Sequence, residues 1–215
     1  MKTTMLLGSA ALLALGLVSC NDPAKNTAKA DVKDAVTKSD TGAAGGTKYT
    51  FTPNSKIGFV GAKVTASHPG GFKTFSGYFT VKDGAPVGNE HKVTIDMSST
   101  FADGGNEEGS AKLTGHLKSP DFFDVAKFPQ STFDVTELKK NSDTSYTVSG
   151  NFTLHGVTKN ISFPATVAKD GETVKIASEF NIKRQDFGIN YPGMADNLIK
   201  DEVVIKLDLE AKPGA

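Results

Sequence analysis

Between Lys48 and Leu209 apolar side chains return at every second position, and this period restricts the fold more than any other feature of the chain. Tyr146, Val148, Gly150, Phe152 and Leu154 share one face, and Ile161, Phe163, Ala165 and Val167 repeat the pattern. Val174, Ile176, Phe180 and Ile182 follow, then Val203, Ile205, Leu207 and Leu209. The positions between them are mostly Lys, Ser, Thr, Asn, Asp and Glu. A period of two puts alternate side chains on opposite faces of a strand, and one wet face is the mark of antiparallel sheet. The pattern predicts strands at 57–66, 72–82, 92–97, 132–137, 146–154, 161–167, 174–182 and 203–209. Asp83-Gly84, Asn141-Ser142-Asp143, His155-Gly156 and Asp170-Gly171 separate them as turns. The expected class is all-β, an up-and-down barrel or a sandwich of about eight strands.

One segment keeps a different period. From Asn106 to Lys118, Leu113 and Leu117 stand four apart behind Glu107 and Glu108, which predicts one short helix. Ser119-Pro120-Asp121 then reads as the start of a second turn carrying Phe122 and Phe123. Such an excursion either caps a barrel mouth or crosses over one sheet.

The N-terminus belongs to a different part of the chain. Lys2 precedes an apolar run of 14 residues, Met5 to Val18, which suits a signal peptide and is too short for a spanning helix. Leu17-Val18-Ser19-Cys20 resembles the bacterial lipobox, which implies cleavage after Ser19 and acylation of Cys20, the single cysteine of the chain. Residues 20–47 hold no aromatic and only two valines, so they are expected to form a flexible tether, with a transient helix open to AKADVKDAVTK. As a coil this tether would span roughly 25 to 30 Å. The domain proper is then 48–215. The 24 basic and 24 acidic residues balance, which gives no electrostatic footprint for nucleic acid.

The 14 phenylalanines are the main interior material. Phe59, Phe75, Phe79, Phe133, Phe152 and Phe180 fall in the inward phase, and Ile95, Met97, Leu154 and Ile182 accompany them. They line either a tunnel for an apolar chain or a solid core, and periodicity does not separate the two. Leu113, Leu117 and Phe122 are the candidate cover. Arg184 and Asp186 continue the phase of Phe180 and Ile182, so both are expected to face inward, paired or in contact with a ligand headgroup. His116, Asp121, Asp124 and His155 lack any metal-ligand spacing, and no nucleophile elbow, phosphate loop or dinucleotide fingerprint is present, so no catalytic or metal residue is assigned.

Three blocks carry a resemblance. His116-Leu117-Lys118-Ser119-Pro120-Asp121-Phe122-Phe123-Asp124-Val125-Ala126-Lys127-Phe128-Pro129, Gly150-Asn151-Phe152-Thr153-Leu154-His155-Gly156-Val157-Thr158-Lys159 and Arg184-Gln185-Asp186-Phe187-Gly188-Ile189 resemble the signature blocks of the YceI family, in that family's order. The resemblance runs from about Lys48 to Ala211. It implies an antiparallel lipocalin-like β-barrel closed by one helix, holding a polyisoprenoid or another long-chain amphiphile such as a quinone, with no cofactor required. It also implies a bacterial cell-envelope protein, anchored here through Cys20 to the periplasm-facing side of the inner or outer membrane, with a homodimer left open. Two other readings stand beside it: an interaction or stress-response module with a solid barrel, and an enzyme acting on an isoprenoid lipid.

Overall fold

The computed structural model describes residues 22–39 and 45–214. The signal-peptide and lipobox readings, Cys20 included, fall outside these residues. In chain order the elements are β1 (Ala28–Lys29), β2 (Asp31–Asp34), β3 (Thr47–Phe51), β4 (Lys56–Ala62), β5 (Ser67–Phe72), β6 (Phe75–Lys82), β7 (Ala85–Pro86), β8 (Lys92–Asp96) and β9 (Thr100–Ala102). There follow α1 (Glu107–Lys118), β10 (Gln130–Lys140), β11 (Ser145–Leu154), β12 (Val157–Asp170), β13 (Thr173–Lys183), β14 (Gly193–Met194), β15 (Asn197–Leu198) and β16 (Glu202–Pro213).

All eight predicted strands are present. Neighbour pairing runs β13-β12-β11-β10-β8-β6-β3-β16, and β16 pairs back onto β13, so the antiparallel sheet closes into an eight-stranded barrel. At one end β16 pairs with β3, and toward the other it pairs with β4, which carries β5 and β9 outward beside it. The turns obey hairpin chemistry. His155 and Gly156 both have positive φ between Leu154 and Val157, as a type I′ turn demands, and an added Cβ at Gly156 would lie 2.4 Å from the Phe128 ring. The β12–β13 turn places Gly171, φ 60°, first in its two-residue loop.

The helix forms where its period placed it. Asn106 caps it through Oδ1, which accepts the Gly109 N–H at 2.8 Å, and Glu107 and Glu108 sit in the first turn. Thr114 Oγ1 accepts the Ala102 N–H at 3.1 Å, tying α1 to β9 at one end of the barrel. Ser119 is the C-cap of this helix, its Oγ donating to the His116 carbonyl at 2.8 Å, and it also opens the turn that follows, its carbonyl accepting the Phe122 N–H at 3.1 Å and its Oγ the Asp121 N–H at 3.4 Å.

The tether expectation needs correction. Strands β12 and β13 pair only from Thr166↔Ala177 to the turn and diverge beyond, toward the helix-bearing end. Residues 28–34 lie in the resulting seam, with β1 parallel to β13 at Ala28↔Phe180 and β2 antiparallel to β12 at Ile161↔Val32. Ala30 is 2% exposed and belongs to the main core. Asn181 Nδ2 donates to Thr27 Oγ1 at 2.8 Å, and Lys159 pairs with Asp34 at 2.9 Å. This strap escapes a hydrophobicity reading because backbone pairing holds it, with only Ala30 and Val32 meeting the core.

Near the opposite end, His91 is buried, its Nδ1 accepting the Thr80 N–H and its Nε2 donating to the Gly88 carbonyl, both at 3.1 Å. Burial lowers its pKa to about 4 from 6.5. The unfolded chain therefore takes up a proton below pH 6.5 that the folded chain refuses until about pH 4. Stability should fall through that window by about 3 kcal/mol in all, at about 1.36 kcal/mol per pH unit. Urea midpoints measured from pH 7 down to 4 should show the decline, and His91→Gln should flatten it.

Candidate functional site

The barrel is solid at one end and hollow at the other. Phe79, Val81, Tyr146, Val167, Val174 and Ala211 form a compact plug beneath the turns at 83–84 and 171–172. Phe79 is 4% exposed there, beside Tyr49 at 6.3 Å between ring centroids, so it is plug and not cavity wall. Phe75 packs on the main core and edge-on to Phe51 at 6.3 Å, also off the cavity wall. Alternation shows which residues point inward. It carries no information on depth along the axis, and depth separates Phe79 from Phe180.

Toward the helix end the interior opens into a cavity of about 160 Å³. Phe59, Ile95, Met97, Phe133, Phe152 and Leu154 line it, together with Phe180, Ile182 and Arg184. Phe163 stacks on Phe180 at 4.0 Å with the rings 7° from parallel, where β12 and β13 part. The wall on β16 runs from Val203 to Leu209, about 20 Å of strand at 3.3 Å per residue. Gly150 gives room for one wall residue: an added Cβ would meet the Phe133 ring at 2.4 Å.

Leu117 and Phe122, both buried, close the helix end of the cavity together with Phe123. Phe123 lies 6.2 Å from Phe59 and from Phe72. On the outer side of Leu117 and Phe122 a groove of about 340 Å³ is lined by Leu113, His116, Tyr191, Met194 and Ile199. Leu113 thus faces this antechamber rather than the cavity. The helix and the turn after it are a cover over the mouth, not a crossover on the sheet.

Polar groups are few in the cavity wall. Ser131 Oγ is engaged with the Thr153 carbonyl at 2.6 Å. The charged lining residues are Arg184 and Lys200, both at the mouth end, and Lys200 pairs with Asp22. Arg184 is 4% exposed and donates to three backbone carbonyls: from Nη1 to Ile189 at 2.6 Å, from Nε to Lys200 at 3.0 Å and from Nη2 to Ile199 at 3.4 Å. Burial holds its pKa below the usual guanidinium value, with Asp201 opposing.

Asp186 is not a cavity residue, and no ion pair joins it to Arg184 among the described residues. The β13 strand ends at Lys183 and a 3₁₀ turn, Arg184–Phe187, replaces it, so the alternation that linked the two residues stops before Asp186. Phe187, fully buried against Phe152 at 5.2 Å, is the inward residue of that turn and was missed. Elsewhere His116 Nε2 meets Asp121 Oδ2 at 3.1 Å on a half-exposed surface, while His155 packs on Phe128 at 4.8 Å. No cluster of metal-ligating side chains occurs among the described residues.

A closed antiparallel barrel with a helical cover and a carbon-lined cavity defines a lipocalin-like protein. Residues 49–211 match the YceI-like domain, and the chain belongs to that family. A UPF0312 protein of Yersinia pestis (strain Pestoides F) is 36% identical over 126 residues, 56% of this chain and 62% of that protein. A UPF0312 protein of Yersinia enterocolitica matches equally. The chain thus spans somewhat under two thirds of these relatives. Among solved structures, Burkholderia cenocepacia BcnA superposes with a TM-score of 0.64 at 26% identity, covering 74% of this chain and 96% of that one. A polyisoprenoid binding domain from Saccharophagus degradans superposes with a TM-score of 0.62 at 18% identity, over 79% of this chain and 99% of that one, a likeness of fold.

Proposed function

We propose that the protein binds one long apolar chain, a polyisoprenoid or similar amphiphile, and stores or carries it in the bacterial cell envelope without chemical change. The cavity carries this reading. Carbon lines it along the side chains of strand β16 from Leu209 to Val203, which suits a hydrocarbon tail. An apolar space of about 160 Å³ stays dry, and left empty it costs about 4 kcal/mol at ~24 cal/mol per Å³, which an occupant would recover. Each methylene buried there contributes about 0.8 kcal/mol. Arg184 borders the cavity with N–H groups beyond the three it gives to carbonyls, so an acceptor oxygen on the ligand, a quinone carbonyl or a phosphate, has a charged partner at the mouth. The description of the Saccharophagus domain as polyisoprenoid binding supports the ligand class. The apolar run from Met5 to Val18 and the lipobox-like Leu17-Val18-Ser19-Cys20 support an envelope location with Cys20 acylated.

Native mass spectrometry of the detergent-purified full chain, before and after organic extraction, tests the reading. A bound amphiphile that extraction removes and added polyprenol or long-chain quinone restores is the expected result. A protein that neither retains nor takes up either lipid would overturn it. Phe152→Trp adds volume directly to the cavity, so the extracted variant should melt within a few degrees of wild type while uptake falls at least tenfold. A marked loss of stability with uptake unchanged would place the ligand elsewhere.

A further inference from the structure

Val64, Met194 and Leu198, exposed by 53%, 68% and 49%, lie at the helix end of the barrel, Val64 opposite Leu198 and Met194 on the other face of the hairpin that carries Leu198. The Val64 N–H donates to the Leu198 carbonyl at 3.0 Å, and Met194 and Leu198 belong to the small β14–β15 hairpin. Behind this patch lies the antechamber, which shares Phe59, Leu117, Phe122 and Ile199 with the cavity. The turns at the other end, Asp83-Gly84, Asn141-Ser142-Asp143 and Gly171-Glu172, are polar. An exposed apolar cluster around a cavity mouth calls for a covering partner.

The course of the N-terminal segment indicates which partner. Asp22 pairs with Lys200, two residues from Leu198, and the strap continues from there into the seam. Cys20 is two residues before Asp22, and two residues of chain reach at most about 7 Å. An acyl group on Cys20 would therefore hold this end of the barrel, and no other, at a bilayer. We propose that the barrel sits mouth-down on the lipid surface, with Val64, Met194 and Leu198 entering the headgroup and upper acyl region and the antechamber opening toward the lipid. Lys63 beside Val64 and Asp196 at the hairpin tip leave this rim without an excess of either charge, so apolar insertion and not attraction to anionic lipid should seat it, and zwitterionic membranes should suffice. Three side chains bind weakly alone, and the anchor supplies the local concentration that keeps them seated. The inference rests on the acyl-anchor and lipid-cavity readings of the preceding section.

The chain has no tryptophan, so single introduced tryptophans report cleanly. The full anchored chain, as Met194→Trp or as Asp143→Trp at the far end, is placed in phosphatidylcholine vesicles with and without brominated acyl chains. Quenching at position 194 should exceed that at 143 by at least threefold. In a second arm, Leu198→Asp should slow lipid uptake from the host vesicle at least fivefold while uptake from detergent micelles stays at the wild-type level. Equal quenching at the two positions would overturn the proposal. So would a shielded, unquenched tryptophan at 194 in a particle of twice the mass, which would give the face to a second copy. A mature N-terminal peptide without acyl chains, read by mass, would remove the anchor and the proposal with it. Loss of micellar uptake in the wild type would instead fail the cavity reading and leave the quenching comparison standing.

Discussion

Arg184→Met should cost about 3 to 5 kcal/mol of folding stability, the largest loss expected from one substitution at the mouth of the cavity. The guanidinium is 4% exposed and holds the carbonyls of Ile189, Ile199 and Lys200, which face one another across the end of β13 and the segment entering β16. Methionine keeps most of the bulk and donates nothing, so these acceptors would be left dry and unpaired. For a domain of this size the loss corresponds to a fall in melting temperature of about 10 °C. Arg184→Lys should recover only part of it, because an ammonium cannot present a planar fork to three carbonyls. Asp186→Asn, on the half-exposed side of the same turn, should change stability by less than about 0.5 kcal/mol. Thermal melts of the three variants separate this account from a buried Arg184–Asp186 pair, under which Asp186→Asn would be as damaging as Arg184→Met.

That contrast also shows where the sequence stopped being legible. The strands with one wet face were readable because each inward apolar residue is flanked by polar ones, and β10 to β13 and β16 appear within a few residues of their expected ends. Helix α1 was readable from Asn106, two glutamates and a leucine spacing of four. Strand β5, Ser67–Phe72, reads Ser-His-Pro-Gly-Gly-Phe, a loop composition, and exists because β4 and β9 pair with it. Arg184 was found by phase and Asp186 misplaced by the same phase, since a change from strand to 3₁₀ turn leaves no mark in a two-residue period. The division of the phenylalanines between plug and cavity depends on register, which fixes height along the barrel axis only when the strands are paired.

The strap is the least legible element, and releasing it should have the largest effect on ligand exchange. Its seven residues, 28–34, make six register pairs with β12 and β13 and bury one alanine completely. Ordering its backbone costs about 1 to 2 kcal/mol per residue, and only Ala30 and Val32 add core contact to the backbone pairing, so the strap is held far more weakly than the barrel strands. It should open by itself, far below the free energy of global unfolding, because β12 remains paired to β11 and β13 to β16 along their lengths. Once it opens, the diverging strands leave a lateral gap beside Ile161, Phe163, Phe180 and Ile182, all cavity residues. Ala30→Asp with Val32→Asp puts two carboxylates into the core contacts of the strap and should expel it while the barrel stays folded. Trypsin should then cut at Lys29 and Lys33 quickly, and exchange of bound lipid should accelerate at least tenfold over wild type. If the strap is cleaved and the exchange rate does not move, the seam is not the route, and the ligand must pass beneath Leu117 and Phe122, where slowing exchange would require fixing α1 instead.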